Sequence, residues 1–250
     1  MILHIPHSSI EIPASERKSI VLSDEELNTE ILLMTDWFTD ELFILDDLLN
    51  TKSLIFSVSR LIVDPERFSD DSKELMVSRG MGVIYTKTSS GNRLRKHPSE
   101  DDRNVMLNNY YHPHHLKLSN MVSQELNENG KAIIIDCHSF PSVPLPYELD
   151  QNNNRPDICI GTDAFHTPEV LVKELKEEIG LRGFKVGLNN PFSGSIVPME
   201  FYNKDKRVVS IMIEVNRSLY MNERTGERIA GYDNVRNAIV AFCGVINKII

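Results

Sequence analysis

The sequence predicts an α/β fold, a mostly parallel or mixed sheet flanked by helices, on three observations. Short unbroken apolar runs recur along the chain, as in Lys131 to Asp136, Asp157 to Gly161 and Val208 to Val215, and such runs suit strands covered on both faces. Stretches with helical spacing lie between them, so strands and helices alternate. Polar residues gather where the runs stop, the place at which open α/β sheets bind their ligands.

Taken in order, Ile2 to Ile5 predicts a short buried strand that ends in Pro6-His7-Ser8-Ser9. Ser23-Asp24-Glu25-Glu26 carries a capping-box signature, and Leu27, Ile31, Met34, Phe38, Leu42, Leu45 and Leu49 follow at helical spacing. This predicts a helix over 23–49, interrupted at Thr35-Asp36, where a second helix can begin. Residues 53–64 read as a strand that Pro65 must end, because proline cannot continue a central ladder. Residues 69–104 are polar and punctuated by glycine, with Val83-Ile84-Tyr85 alone strand-like; this predicts a long excursion or lid.

Helical spacing resumes over Leu107–Leu126 and stops at Asn129-Gly130. The strand from Lys131 to Ser139 follows at once, then a Pro- and Asn-rich loop, the short strand 157–161 and a helix over 168–179. Phe184 to Leu188 predicts an edge strand, Asn189 to Gly194 a turn, Val208 to Val215 the last strand and 234–250 a terminal helix. No repeat or low-complexity linker divides the chain, so one domain is expected over 1–250.

Composition bounds the function. The 250 residues carry 27 Lys+Arg against 36 Asp+Glu, a formal charge of −9. Arg93, Arg95 and Lys96 form the longest basic cluster, and Asp101 and Asp102 flank it; nucleic acid is therefore not an expected partner. No window reaches the roughly 18–20 uninterrupted apolar residues of a membrane span, and the N-terminus lacks a basic signal-peptide start. Cys137, Cys159 and Cys243 have no CxxC spacing, which points to a reducing, cytoplasmic setting rather than disulfides. Oligomeric state is not encoded in any of these features.

The polar residues at strand ends are His7, Asp64, Asp136 with His138, Asp157, and Glu214 with Arg217. His7 and His138 are the best candidate metal ligands, since neutral imidazole suits zinc and a catalytic zinc takes three protein ligands. Asp36 and Asp64 compete for the third place. Asp36 is preferred, because Asp64 is better placed to hold the other ring nitrogen of His7. Glu214 interrupts an apolar strand, where partial burial would tune a carboxylate to take a proton from water and pass it to a leaving amine. Arg60, Arg67 and Arg217 offer cationic forks that match carboxylates. In the tract His112-Pro113-His114-His115, His115 is expected to face the site and His112 and His114 the solvent. Ser139 lacks a Gly-x-Ser-x-Gly elbow, and Cys137 should point into the core.

The set Pro6-His7-Ser8-Ser9, Thr35-Asp36-Trp37, Asp64-Pro65-Glu66-Arg67, Tyr110-Tyr111-His112-Pro113…His115, Asp136-Cys137-His138-Ser139, Arg155-Pro156-Asp157, Asn190-Pro191-Phe192 and Glu214-Val215-Asn216-Arg217 closely resembles the N-formylglutamate amidohydrolase family. The likeness runs in order over about residues 2–225. It implies a zinc-dependent hydrolase of the phosphorylase/hydrolase-like fold, distantly similar to zinc carboxypeptidases, that releases formate from N-formyl-L-glutamate in histidine breakdown. It implies His7 and His138 as ligands and Glu214 as base, with Arg60 beside it in catalysis. The substrate would be a small acidic N-acyl amino acid held by Arg67, Arg217, Asn190 and His115. Two departures stand out: Glu66 replaces the family's asparagine, and Pro191-Phe192-Ser193-Gly194-Ser195 replaces Pro-Tyr-x-Gly-Gly, losing a hydroxyl and a glycine. They keep open a zinc carboxypeptidase or peptidoglycan-type amidase on the same fold, and a non-catalytic carboxylate-binding protein.

Overall fold

The computed structural model describes residues 1–45, 49 and 51–249. Six strands form one sheet: β1 (Ile2–Ile5), β2 (Lys52–Ile55), β3 (Ala132–Phe140), β4 (Ile158–Thr162), β5 (Val186–Leu188) and β6 (Val208–Asn216). Their order is β2-β1-β3-β6-β4-β5. The first four run parallel, β4 is antiparallel to β6, and β5 is parallel to β4. The sheet is therefore mixed, with a parallel centre, and β5 is the edge strand that its short Val-Gly-Leu segment predicts.

The helices are α1 (Ala14–Arg17), α2 (Asp24–Met34), α3 (Thr39–Leu42), α4 (Glu100–Met106), α5 (His112–Asn129), α6 (Glu169–Leu181) and α7 (Tyr232–Ile249). Ser23 caps α2 reciprocally with Glu26: each backbone N–H donates to the other's side chain, at 2.8 and 3.2 Å. The expected helix over 23–49 is shorter among the described residues. α2 stops at Thr35, which adopts extended backbone, and helical turns resume at Thr39–Leu42; positions 46–48 of that expectation lie outside the described residues. A π-helical turn, Leu107–Tyr111, joins α4 to α5, a feature that re-aims side chains. Gly130 ends α5 at φ 70°, a left-handed position that glycine adopts without a Cβ clash.

Strand alternation sorts the core. Ile134 of β3 packs with Ile2, Val208 and, from α5, Leu118 and Val122. Ile135 and Cys137 face the opposite layer, where Leu171, Leu175 and Ile179 of α6 and Ile239, Phe242 and Ile246 of α7 cover the sheet. Because side chains alternate with period two, His4, Asp136, His138 and Glu214 share the α5-side parity of Ile2, Ile134 and Val208. Parity on three adjacent strands thus delivers four polar side chains to one face.

The strand expected over 53–64 ends at Ile55. Ser59 then turns the chain: its N–H donates to Glu11 O, its carbonyl accepts from Ile62 N, and its Oγ accepts from Leu61 N. Leu61, Ile62 and Val63 are apolar because they are buried in a further cluster with Met34, Met76, Met81, Val83 and Tyr85, and not because they sit in a ladder. That cluster also anchors the excursion 69–104. Its 80–95 portion is tied down through Val83, Ile84, Tyr85 and Leu94, while Lys73, Glu74 and Leu75 reach a cavity mouth.

Removing buried carbon from the α7 layer should be costly and removing exposed carbon should not. Phe242→Ala is expected to lower unfolding free energy by about 3–5 kcal/mol, and the exposed Leu181→Ala to change it by no more than about 0.5 kcal/mol. Urea midpoints at fixed m-value measure both.

Candidate functional site

A cavity of about 440 Å³ opens over the carboxyl ends of the parallel strands. His7 enters from the loop two residues beyond β1, and its carbonyl accepts a hydrogen bond from Asp36 N at 3.0 Å. Asp36 follows the end of α2. His138 and Glu214 lie opposite each other in the β3–β6 register. Arg60 and Arg67 come from the turns around Asp64, and Arg217 directly follows β6.

Asp36 is almost fully buried. Its Oδ1 accepts from Arg217 at 2.9 Å; its Oδ2 accepts from Ser139 N at 3.1 Å and lies 3.2 Å from His138 Nδ1 and 3.7 Å from His7 Nδ1. Burial alone would raise its pKa, but hydrogen bonding to His138 and the nearby His7 and Arg217 hold the carboxyl well below the usual range.

Asp64 is engaged differently. Its Oδ1 meets His7 Nε2 at 2.8 Å and accepts from Glu66 N at 2.9 Å. Its Oδ2 accepts from Arg60 at 2.8 Å and from the Tyr85 hydroxyl. Burial opposes its ionisation, yet His7 and Arg60 keep it well below the ordinary value. Asp64 fixes His7 through Nε2 and leaves Nδ1 facing Asp36 and His138.

The residues fit a cation. His7 Nδ1 is buried and hydrogen-bonds to no described residue. His7, Asp36 and His138 each offer one ligand atom, all within 4.8 Å of one another. Two imidazole nitrogens and a carboxylate oxygen are a donor set for a divalent transition metal. Without a cation, burial favours neutral His138, but Asp136 and Asp36 overcome it and raise its pKa well above the ordinary value.

Glu214 lines the same cavity, and its buried Oε2 has no hydrogen-bond partner among the described residues. Burial pushes its carboxyl up to about 8, with the Asp36 charge adding to the rise and the His138 charge opposing it. A carboxyl titrating near neutrality beside a water-accessible cavity is suited to taking and returning a proton.

The three arginines are engaged to different degrees. Arg217 is buried and committed: Nη1 donates to Leu33 O at 2.6 Å, Nη2 to Asp36, and Nε to Ser139 Oγ at 3.2 Å. Arg60 donates to Tyr85 and Asp64 and keeps Nη1 at 3.8 Å from Asp36. Arg67 Nε is buried without a hydrogen-bond partner among the described residues, with Asp64 Oδ2 at 3.8 Å. His115 and Asn190 are not among the cavity-lining residues. His115 reaches Pro65 O at 2.9 Å and stacks near Tyr111, which itself donates to Arg67 O; it thereby braces the Glu66–Arg67 turn. Asn190 is exposed and precedes the cis bond to Pro191.

One expectation is reversed. His114 is buried and not solvent-facing: its Nε2 lies 2.8 Å from His4 Nε2, because the α5 face it occupies covers the sheet. Burial, with the neighbouring His4, pushes it down to about 2. His4 itself and the wall residue Tyr147 went unnoticed in the sequence. An imidazole inside a four-residue buried strand was the available signal for His4, the same signal that singles out Glu214. Tyr147, in an irregular loop, carries no local signal.

This fold and site define a mixed-sheet α/β protein whose polar machinery is assembled from strand ends and loops at the carboxyl edge of the sheet. The profile of the N-formylglutamate amidohydrolase family matches residues 1–221, and the chain belongs to that family. It is 25% identical over 228 residues to the N-formylglutamate deformylase of Pseudomonas putida, covering 89% of this chain and 82% of the relative. The Pseudomonas aeruginosa N-formylglutamate deformylase is 24% identical over 229 residues, 90% and 83% of the two chains. The crystal structure of N-formylglutamate amidohydrolase from Ralstonia eutropha JMP134 superposes with TM-score 0.87 at 22% identity, covering 100% of this chain and 93% of that one. A gene product of Agrobacterium tumefaciens shares the fold at TM-score 0.72 and 17% identity, covering 99% and 90%. Among the described residues no helix is long and apolar enough to cross a membrane, and the three cysteines are buried and unpaired.

Losing Arg217 would leave Asp36 buried with one fewer cation. Arg217→Met is expected to destabilise the metal-free protein by about 3 kcal/mol or more, and adding Asp36→Asn to restore much of that loss. Thermal unfolding of the two single variants and the double variant completes the cycle.

Proposed function

We propose that this chain is a zinc-dependent amidohydrolase that converts N-formyl-L-glutamate, or a closely similar small acidic N-acyl amino acid, to the free amino acid and formate or carboxylate. The observation that carries the reading is the convergence of His7 Nδ1, Asp36 Oδ2 and His138 Nδ1 beside the unpartnered Glu214 carboxyl. Family membership and the names of the Pseudomonas relatives support the substrate. Two imidazoles and one carboxylate match the three-ligand pattern of catalytic zinc.

Zinc held by His7, Asp36 and His138 would act as a Lewis acid towards the formyl oxygen and bring the pKa of the attacking water towards about 7. Asp64 keeps His7 turned so that Nδ1 faces inward, and Arg217 does the same for Asp36. Glu214 takes the water's proton on Oε2 and returns it to the departing amide nitrogen, so the amine leaves neutral. The cation would oppose the raised pKa of Glu214, because a nearby positive charge favours the carboxylate.

Arg60 Nη1 offers a donor to the oxygen that gains charge at the tetrahedral stage. Arg67, with its Nε unengaged, grips a substrate carboxylate and fixes the amide against the catalytic groups. His115 supports binding from outside the cavity wall by holding the turn that carries Arg67. Residues 73–75 at the mouth give the 69–104 excursion a part in enclosing substrate. An acidic protein thus reads an acidic small molecule through local cations.

Formate release from N-formyl-L-glutamate, compared with longer N-acyl amino acids and C-terminal peptides, tests the assignment. A preference for peptides would replace it with a carboxypeptidase; no turnover of any, with retained binding, would leave a carboxylate-binding protein. Chelation should abolish activity and added zinc restore it, and His138→Ala should hold no zinc at this site. Glu214→Gln is expected to lower kcat about 10²–10⁴-fold with KM little changed, whereas Arg67→Met should chiefly raise KM.

A further inference from the structure

Beside the His7–Asp36–His138 set, a second group of buried donors converges on one point, and the catalytic reading above leaves it without a role. We propose that His4, Glu66 and Asp136 form a second divalent-cation site. His4 Nδ1 lies 2.9 Å from Asp136 Oδ1 and 3.2 Å from Glu66 Oε1, and the three donor atoms fall within 4.8 Å of one another.

Three features separate this group from an ordinary buried polar cluster. Glu66 Oε1 is enclosed, points at His4 and Asp136, and accepts no hydrogen bond from any described residue. Asp136 is held on both oxygens: Oδ2 accepts from Ile196 N at 3.1 Å, and Oδ1, which faces His4, also meets His138 Nε2 at 3.0 Å. Two carboxylates therefore face one point, and a single N–H on His4 Nδ1 could serve only one of them, with Asp136 the nearer. Burying a second carboxylate against the first costs several kcal/mol unless a positive charge joins them.

The back of the site is built as well. His114 Nε2 sits 2.8 Å from His4 Nε2. With His4 carrying its proton on Nε2, that hydrogen bond to His114 leaves the Nδ1 lone pair directed at the two carboxylates, the arrangement in which an outer partner fixes the tautomer of a ligating imidazole. His114 sits edge-on to Phe56 at 5.0 Å, which holds its ring in place. The imidazole nitrogen favours a first-row transition cation such as zinc over calcium or magnesium, while the two carboxylates also admit the harder manganese. Glu66 also lines the cavity, so a cation here would present positive charge to an acidic substrate where the Glu66 side chain alone presents negative charge.

The two sites are linked through the His138 Nε2–Asp136 contact and through Glu66 N, which donates to the Asp64 carboxylate behind His7, but they share no donor atom, so they can be tested apart. Metal-free full-length protein is titrated with zinc, and separately with manganese, under equilibrium dialysis with elemental analysis; about two equivalents are expected for the wild type. Glu66→Gln, isosteric and uncharged, should bind about one equivalent and keep its fold by circular dichroism. Asp36→Asn should lose the other equivalent instead, so loss of that site and loss of this one are read on different variants. His114→Gln should weaken the second equivalent about 10–100-fold without removing it. If Glu66→Gln does not fold, Glu66→Asn replaces it in the same titration. A wild type that binds a single equivalent, or a Glu66 variant with wild-type stoichiometry, overturns the proposal and assigns the position between Glu66 and Asp136 to a proton.

Discussion

The Asp36 carboxylate is the tie on which the site depends. It sits just past the end of α2, yet it holds Arg217 from the far end of β6, the Ser139 backbone from β3 and, across its Oδ2, the imidazoles that follow β1 and lie on β3. Four segments distant in sequence are therefore registered against one buried charge. The termination of α2 at Thr35 is part of this: one more helical turn would carry Asp36 away from the sheet. Extended backbone at Thr35 instead lets Asp36 N bond His7 O, so the loop after β1 and the end of α2 are fixed together.

Around that tie the charges divide by how fully they are engaged. Asp64 and Arg217 have their hydrogen-bonding capacity taken up inside the protein and act by orienting His7 and Asp36. Glu214 and Arg67 keep buried polar atoms unengaged at the cavity. In a low-dielectric site a satisfied group is a rigid support, and an unsatisfied one is available to whatever enters. The cavity wall sets Arg60, Arg67 and Arg217 among a larger number of carboxylates, so attraction for an acidic molecule is local to those guanidinium groups and is not set by the overall charge of −9.

Much of this was readable from local pattern. The run Ala132 to Ile135 after Asn129-Gly130 marked β3, the Ser23–Glu26 box marked the start of α2, and a glutamate inside the apolar run of β6 marked Glu214. Each signal depends on residues within one turn or one strand of each other. The strand expected over 53–64 failed for the complementary reason. Leu61, Ile62 and Val63 are apolar because a non-local cluster buries them, and burial without a ladder looks the same in sequence as burial within one. His114 was misplaced because facing the solvent or the sheet is decided by where α5 docks, and the π-helical turn before it shifts that face.

The sequence by itself determined the alternation of strands and helices, the caps that bound them, and the kinds of side chain available at strand ends, because these follow from backbone propensity and period. Tertiary structure alone decided the pairings. Asp36 over Asp64 as neighbour of His7 Nδ1, Arg217 as a brace for Asp36, and the meeting of His4 with Glu66, Asp136 and His114 all join residues that sequence separates by up to 181 positions. Such contacts arise only once the parallel strands set their register, since a shift of one residue would turn His4, Asp136, His138 and Glu214 to the opposite face.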